Sequence, residues 1–111
     1  MKAAYSIDRD SKGRQFIRFT LQGDYDRPGA AKRLSPELDT VRVVLGQEKI
    51  RRLVFDLQDV EFIDEESHIT AIAEIHSVLA GWANAHNVPL EVLDKHKKRS
   101  RLIAERSKYM L

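Results

Sequence analysis

The sequence of 111 residues contains no cysteine, which excludes disulfides and thiolate chemistry and fits a reducing compartment. Its five glycines stand isolated at Gly13, Gly23, Gly29, Gly46 and Gly81, so no glycine loop for cradling phosphates is present. No apolar run approaches the length that spans a bilayer, and residues 1–10 lack the apolar segment of a secretory signal. A cytoplasmic protein with no membrane partner is therefore expected. Neither sign of charge dominates. The 19 Lys and Arg against 17 Asp and Glu leave a net charge of +2, too small to argue nucleic-acid binding. The histidines His68, His76, His86 and His96 form no i,i+4 pair, which removes a helical zinc site. Without cysteine or a G-x-S-x-G there is no candidate nucleophilic triad.

What is present is an ordinary globular balance, 42% apolar and 32% charged, on a chain long enough for one core and not two. Residues 1–111 read as a single domain. A short strand over residues 3–7 is followed by a polar turn and a second strand over 15–21. In that strand Phe16, Arg18 and Thr20 alternate with Ile17, Phe19 and Leu21. The turn-rich spacer D-R-D-S-K-G predicts antiparallel pairing of the two. Residues 23–29 read as a loop and 30–34 as one helical turn. Ser35, Pro36 and Glu37 then read as an N-cap, a proline at the first helical position and a first-turn acid. Leu38, Val41, Val44 and Leu45 give that helix its buried stripe.

The strand over residues 53–57 is apolar except for Asp56, the pattern of a central parallel strand covered on both faces. A long helix over 65–86 keeps Thr70, Glu74, Ser77, Gly81 and Asn84 on a narrow polar arc. Its apolar arc is wide enough to meet both the sheet and another helix or a partner. A strand over 89–93 and a basic helix over 95–108 follow, with Leu102, Ile103 and Tyr109 expected inward. The fold class is α/β, with a mostly parallel β-sheet, an antiparallel N-terminal strand and the order β-β-α-β-α-β-α. Right-handed crossovers join the later strands.

The richest stretch is L-V-F-D-L-Q-D-V-E-F-I-D-E-E-S-H at residues 53–68. An apolar strand crosses an acidic turn and enters a capped helix, which is where α/β proteins place binding chemistry. Here the chain resembles the STAS family, the domain of bacterial anti-sigma-factor antagonists and of anion-transporter tails. Leu21, Gln22, Gly23, Asp24, Tyr25 and Asp26 resemble the family's L-x-G-x-L-D. Val54, Phe55, Asp56 and Leu57, then Val60, Phe62, Ile63 and Asp64, resemble its V-h-D-L-x-x-V-x-F-h-D, where h is apolar. The likeness covers residues 14–104. The family pattern continues beyond its last helix with another strand and helix, which this sequence does not carry before Leu111. The segment over residues 26–35 is also longer than usual.

The resemblance implies a non-catalytic protein-interaction module whose partner is an anti-sigma factor or related kinase. The implied surface comprises Asp24, Tyr25 and Asp26, together with Phe62, Asp64, Glu65, Glu66, Ser67 and His68. In the family this turn continues D-S-S-G or D-S-T-G, and the residue before the glycine is phosphorylated by the partner kinase. Position by position, Asp64 matches, Glu65 takes the first serine, Glu66 the phospho-acceptor and Ser67 the glycine. Glu66 cannot be phosphorylated. Ser67 lies about 100° around the helix from that place and is not expected to substitute.

Glu66 admits two accounts. A phosphoryl group at a helix N-terminus would meet free N–H groups and add about −1.5 to −2 charges, so Glu66 would be a permanent, weaker copy of that state. The simpler account is preferred. Asp64 is then an N-cap, and Glu65 and Glu66 are first-turn acids favoured by the helix dipole by roughly 0.3–1 kcal/mol each. The acids Asp56, Asp59, Glu61, Asp64, Glu65 and Glu66 fit no EF-hand spacing, and no metal or cofactor is expected. Asp56 reads as a hydrogen-bonded residue. The basic segment with Lys95, Lys97, Lys98, Arg99, Arg101, Arg106 and Lys108 is opposed within itself only by Glu105. It reads as a solvated face, since no aromatic residues interleave for base stacking.

Two rivals stand beside the leading reading. One is a redesigned sequence on a STAS backbone with no biological partner, suggested by an acid in place of the serine and by helices rich in propensity-consistent charge. Trp82, the irregular segment 26–35 and the scattered histidines speak against it. The other is a small ligand-binding domain or enzyme using the acidic turn. A homodimer covering a sheet edge is left open.

Overall fold

In the computed structural model, which describes residues 2–24, 29–61 and 65–110, the chain opens with a hairpin. Strand β1 (Lys2–Arg9) pairs antiparallel with β2 (Gln15–Asp24), from Arg9 opposite Gln15 to Lys2 opposite Gln22. Asp10 builds the turn. Its Oδ1 accepts the backbone N–H groups of Lys12 and Arg14, both at 2.9 Å, while Gly13 supplies the positive φ of 75° that closes it. The remaining elements are α1 (Ala30–Arg33), α2 (Ser35–Gln47), β3 (Leu53–Glu61), α3 (Glu65–Ala85), β4 (Leu90–Leu93) and α4 (Lys97–Lys108). Among the described residues this is an α/β fold, with a four-stranded mixed sheet in the order β1-β2-β3-β4. Only β1 runs antiparallel to its neighbour; β3 is parallel to both β2 and β4.

Both crossovers step the same way across the sheet, so right-handed connections put their helices on one face. The core agrees with this. Ile17, Phe19 and Leu21 of β2 and Leu53, Phe55 and Leu57 of β3 share one cluster with buried residues from every helix, Ala30, Val41, Ile72 and Ile103 among them. Each fully buried Val, Leu, Ile or Phe among them contributes about 1.5–3 kcal/mol. The opposite face carries Phe16 and Val54, buried yet outside that cluster. Residues 53–57 are all buried, so β3 is covered on both faces as its apolar run predicts, although among the described residues helices cover only one of them. Phe16 is instead roofed by arginines, with the guanidinium carbon of Arg52 4.6 Å and that of Arg18 6.0 Å from its ring centre. Arg52 in turn pairs with Glu91 at 3.2 Å, and Arg18 reaches Asp8 at 3.6 Å and Asp56 at 3.8 Å. Long cationic side chains do on this face what helices do on the other.

The start of α2 differs from the expected cap. Leu34 is the N-cap, Ser35 is already helical and Pro36 follows it, because α1 runs almost directly into α2. The Ser35 hydroxyl donates to the Lys32 carbonyl at 2.6 Å, closing the junction rather than capping the helix. Pro36 costs nothing there, since the first-turn N–H groups have no intrahelical acceptor.

Helix α4 is held by polar contacts that its own sequence does not announce. Asp94 receives Arg99 in a forked pair, at 2.9 Å from Nε and 2.5 Å from Nη2. The Asp94 side chain is fully buried. Ile103 and Ser107, one turn apart, face inward, while Leu102 is 42% and Tyr109 90% exposed. The inward placing of Leu102 and Tyr109 is corrected: Ile103 alone takes the apolar position, and the next place on that stripe belongs to serine. Ser107 is there for His76 of α3. His76 Nδ1 lies 2.7 Å from the Ser107 hydroxyl, which donates its single proton to the Ala104 carbonyl at 3.0 Å. Ser77, expected on the polar arc of α3, is also buried, and its hydroxyl donates to the Glu74 carbonyl at 2.8 Å.

Burial pushes the His76 pKa below 6.5, so the folded state prefers the neutral ring. Its contribution to stability is complete above pH 6.5 and is lost as the pH falls from there through the depressed folded value. The slope is at most about 1.4 kcal/mol per pH unit for one group. Urea midpoints at pH 7.5 and 5.5 should therefore fall for the wild type and stay nearly level for His76→Asn. Equal slopes in both proteins would show that His76 does not carry the dependence.

Candidate functional site

The two stretches that carry the sequence motifs leave the sheet side by side. In the β2–β3 ladder Gly23 is the partner of Val60, and Asp24 the partner of Glu61. Both strands are parallel, so residues 24 and 61 end at the same edge, where ligand and partner surfaces of α/β sheets form. Tyr25, Asp26, Phe62 and Asp64 lie outside the described residues.

A register shift prepares this edge. Thr20 pairs with Asp56, but Gln22 pairs with Asp59, so β3 runs one residue ahead of β2. Asp56 makes the shift tolerable. It is 6% exposed, and its Oδ1 accepts the Gln58 N–H at 3.0 Å just where the ladder is irregular. Its other oxygen faces Arg18 at 3.8 Å. Asp56 is thus hydrogen-bonded within the fold, and beyond it Gln58, Asp59 and Glu61 are exposed.

Helix α3 begins at Glu65 and carries the rest of the candidate surface. Glu66 points into solvent, its side chain 77% exposed, yet its Oε1 lies 2.8 Å from Arg106 Nη1 of α4. The same Nη1 donates to the Thr70 hydroxyl at 2.7 Å, and that hydroxyl donates to the Glu66 carbonyl at 3.1 Å. Glu66, Thr70 and Arg106 therefore form one closed polar cluster across the α3–α4 seam. Ser67 is half-buried and His68 only 1% exposed, so His68 supports the surface from beneath. One turn further along, Glu74 reaches the start of α1, its Oε2 accepting the Gly29 N–H at 2.9 Å. Gly29 sits at φ 81°, a conformation that favours glycine, and begins α1.

Sequence reasoning singled out Glu66 but missed Arg106, Thr70 and Glu74. The sequence places Arg106 on a solvated basic face opposed within its segment only by Glu105. In the structure Glu66 opposes Arg106 and Asp94 opposes Arg99, both from outside that segment. Glu66 and Arg106 are far apart in the chain and meet only through packing of α3 on α4, which leaves no local sequence signal. Among the described residues no group of three His, Asp or Glu side chains comes together as a metal site. No helix among them is long and apolar enough to cross a membrane. Comparisons with protein-family models, with curated proteins and with solved structures find no match.

The Glu66–Arg106 pair is partly exposed, so its net worth is small. A double-mutant cycle with Glu66→Gln and Arg106→Ala, read by urea unfolding, should give a coupling of about 0.2–1 kcal/mol that shrinks as salt is added. A coupling of zero at low salt would mean that charge at position 66 plays no part in holding α4.

Proposed function

We propose that this chain is a non-catalytic protein-interaction module of STAS type, with the β3–α3 turn and the end of β2 as its binding surface. The supporting observation is Glu66, an exposed carboxylate in the first turn of α3, held by Arg106 at the sheet edge where both motif stretches emerge. By resemblance, position 66 is where the family places its phosphorylated serine or threonine. A carboxylate there supplies negative charge permanently, and Arg106 supplies the cation that such a charge attracts. The same contacts serve the simpler role of fixing α4 to α3, so the regulatory meaning rests on the resemblance and on how a partner responds. The expected partner is an anti-sigma factor or related kinase, and the expected binding is insensitive to phosphorylation at this turn.

The test is binding of the wild type and of Glu66→Ser to a panel of anti-sigma kinases, with phosphate transfer followed by mass spectrometry. The wild type should bind without becoming phosphorylated, and Glu66→Ser should become a substrate. Stoichiometric phosphate on Ser67 of the wild type would contradict the reading. So would the absence of binding and transfer in both proteins while each unfolds cooperatively, which would leave the scaffold without this partner and favour a redesigned sequence.

A further inference from the structure

The end of the sheet opposite the acidic turn is strongly basic. A cavity of about 520 Å³ opens between the β1–β2 turn and the segment that leads into β3. Four of its six lining residues are cations, Arg9, Arg14, Lys49 and Arg51; the others are Gly13 and Gln15, and no acid lines it. A second hollow of about 380 Å³ shares Arg14 and Arg51 and adds Arg52, with Asp10, the partner of Arg14, also on its wall. The whole chain has a net charge of only +2, so this clustering does not follow from average composition. Like charges gathered around a concavity repel one another and focus a positive field into it.

Several of these cations are held in place. Asp10 accepts Arg14 Nε at 3.0 Å and the Arg14 backbone N–H at 2.9 Å. The bond from that N–H does most to hold the Asp10 carboxyl below its ordinary pKa, so Asp10 stays charged and Arg14 stays anchored. Arg9 Nη1 donates to the Gly13 carbonyl at 3.0 Å. The Arg51 backbone N–H donates to the Gln15 carbonyl at 2.8 Å, fixing the two walls together. The side chains of Lys49 and Arg51 make no hydrogen bond or ion pair among the described residues. Their donors, three on a lysine and five on an arginine, are unspent beside the cavity.

We propose that this cavity is a binding site for a small ligand carrying two or three linked phosphates, recognised through the phosphates by Arg9, Arg14, Lys49 and Arg51. Linked phosphates deliver the most negative charge in the least volume, and guanidinium forks match their oxygens in pairs. A single-stranded nucleic acid fits less well. Phe16, the aromatic ring among the described residues on the adjoining sheet face, is 6% exposed beneath Arg52 and offers no open face for a base. This site lies at the other end of β3 from the proposed partner surface, so either reading can fail without the other.

The probe is inorganic tripolyphosphate, titrated into the full chain by calorimetry and thermal melting at physiological ionic strength, with sulfate at matched ionic strength as a control. The wild type should bind and melt higher, as expected of a ligand that prefers the folded state. Lys49→Glu combined with Arg51→Glu should weaken binding by roughly tenfold or more, since both positions lie outside the strands and face the cavity. Lys97→Glu combined with Lys98→Glu on α4 makes the same change in net charge and should leave binding intact. Lys49→Ala alone serves if the double variant folds poorly, and should weaken binding in the same direction. A nucleoside triphosphate that binds as well as tripolyphosphate would support recognition through phosphates and extend it to a nucleoside-linked source. The proposal is overturned if tripolyphosphate gives no response beyond sulfate, if the α4 variant loses as much binding as the cavity variant, or if only long nucleic acids bind.

Discussion

Strand β3 is the constraint from which the rest of the molecule follows. It is hydrogen-bonded on both sides, to β2 and to β4, and its alternation decides which face of the sheet each neighbour must complete. Leu53, Phe55 and Leu57 demand a helical cover, which four helices supply in one layer. Val54 and Asp56 face the other way, onto a surface that no helix covers among the described residues. There the cover comes from Arg18 and Arg52 lying over Phe16, each tied to an acid on a neighbouring strand. Asp56 is the hinge between these two solutions. Its carboxylate holds the Gln58 N–H where β3 slips against β2, and it gives Arg18 a partner.

The same strand gives the molecule electrical polarity. It is entered through Arg51 and Arg52 and left through Asp59 and Glu61. The cations beside its start line a cavity; the acids in its last residues precede the turn into α3. Because β2 is parallel to β3, the hairpin turn with Arg14 comes to the basic end and Asp24 to the acidic one. A nearly neutral chain thus presents two oppositely charged ends, and a net charge summed over the sequence hides both.

The architecture was largely legible because it is written in local patterns. Alternation in β2, the apolar run of β3 and the wide arc of α3 each specify an element and its inward face. What escaped depends on contacts between distant residues. Leu102 and Tyr109 look apolar enough to be buried, but the seam between α3 and α4 is filled by Ile103 and by the His76–Ser107 hydrogen bond. Ser35 looks like an N-cap, but α1 runs into α2 and moves that role to Leu34. Glu66 stood out by resemblance, whereas Arg106 had no signal of its own. The strand ends were underestimated as well. Gly23 and residues 59–61 look like loop, yet they pair across the β2–β3 edge because a parallel neighbour supplies the hydrogen bonds.

The most direct measurement of the role assigned to Asp56 is denaturant unfolding of Asp56→Ala beside Asp56→Asn. Asparagine keeps an acceptor for the Gln58 N–H, whereas alanine removes it and leaves Arg18 without this partner. The alanine variant should lose on the order of 1–3 kcal/mol, the cost of leaving a sheltered polar group unpaired, and the asparagine variant clearly less. Equal stability of both variants and the wild type would contradict the account, and β3 would then owe its register to apolar packing alone.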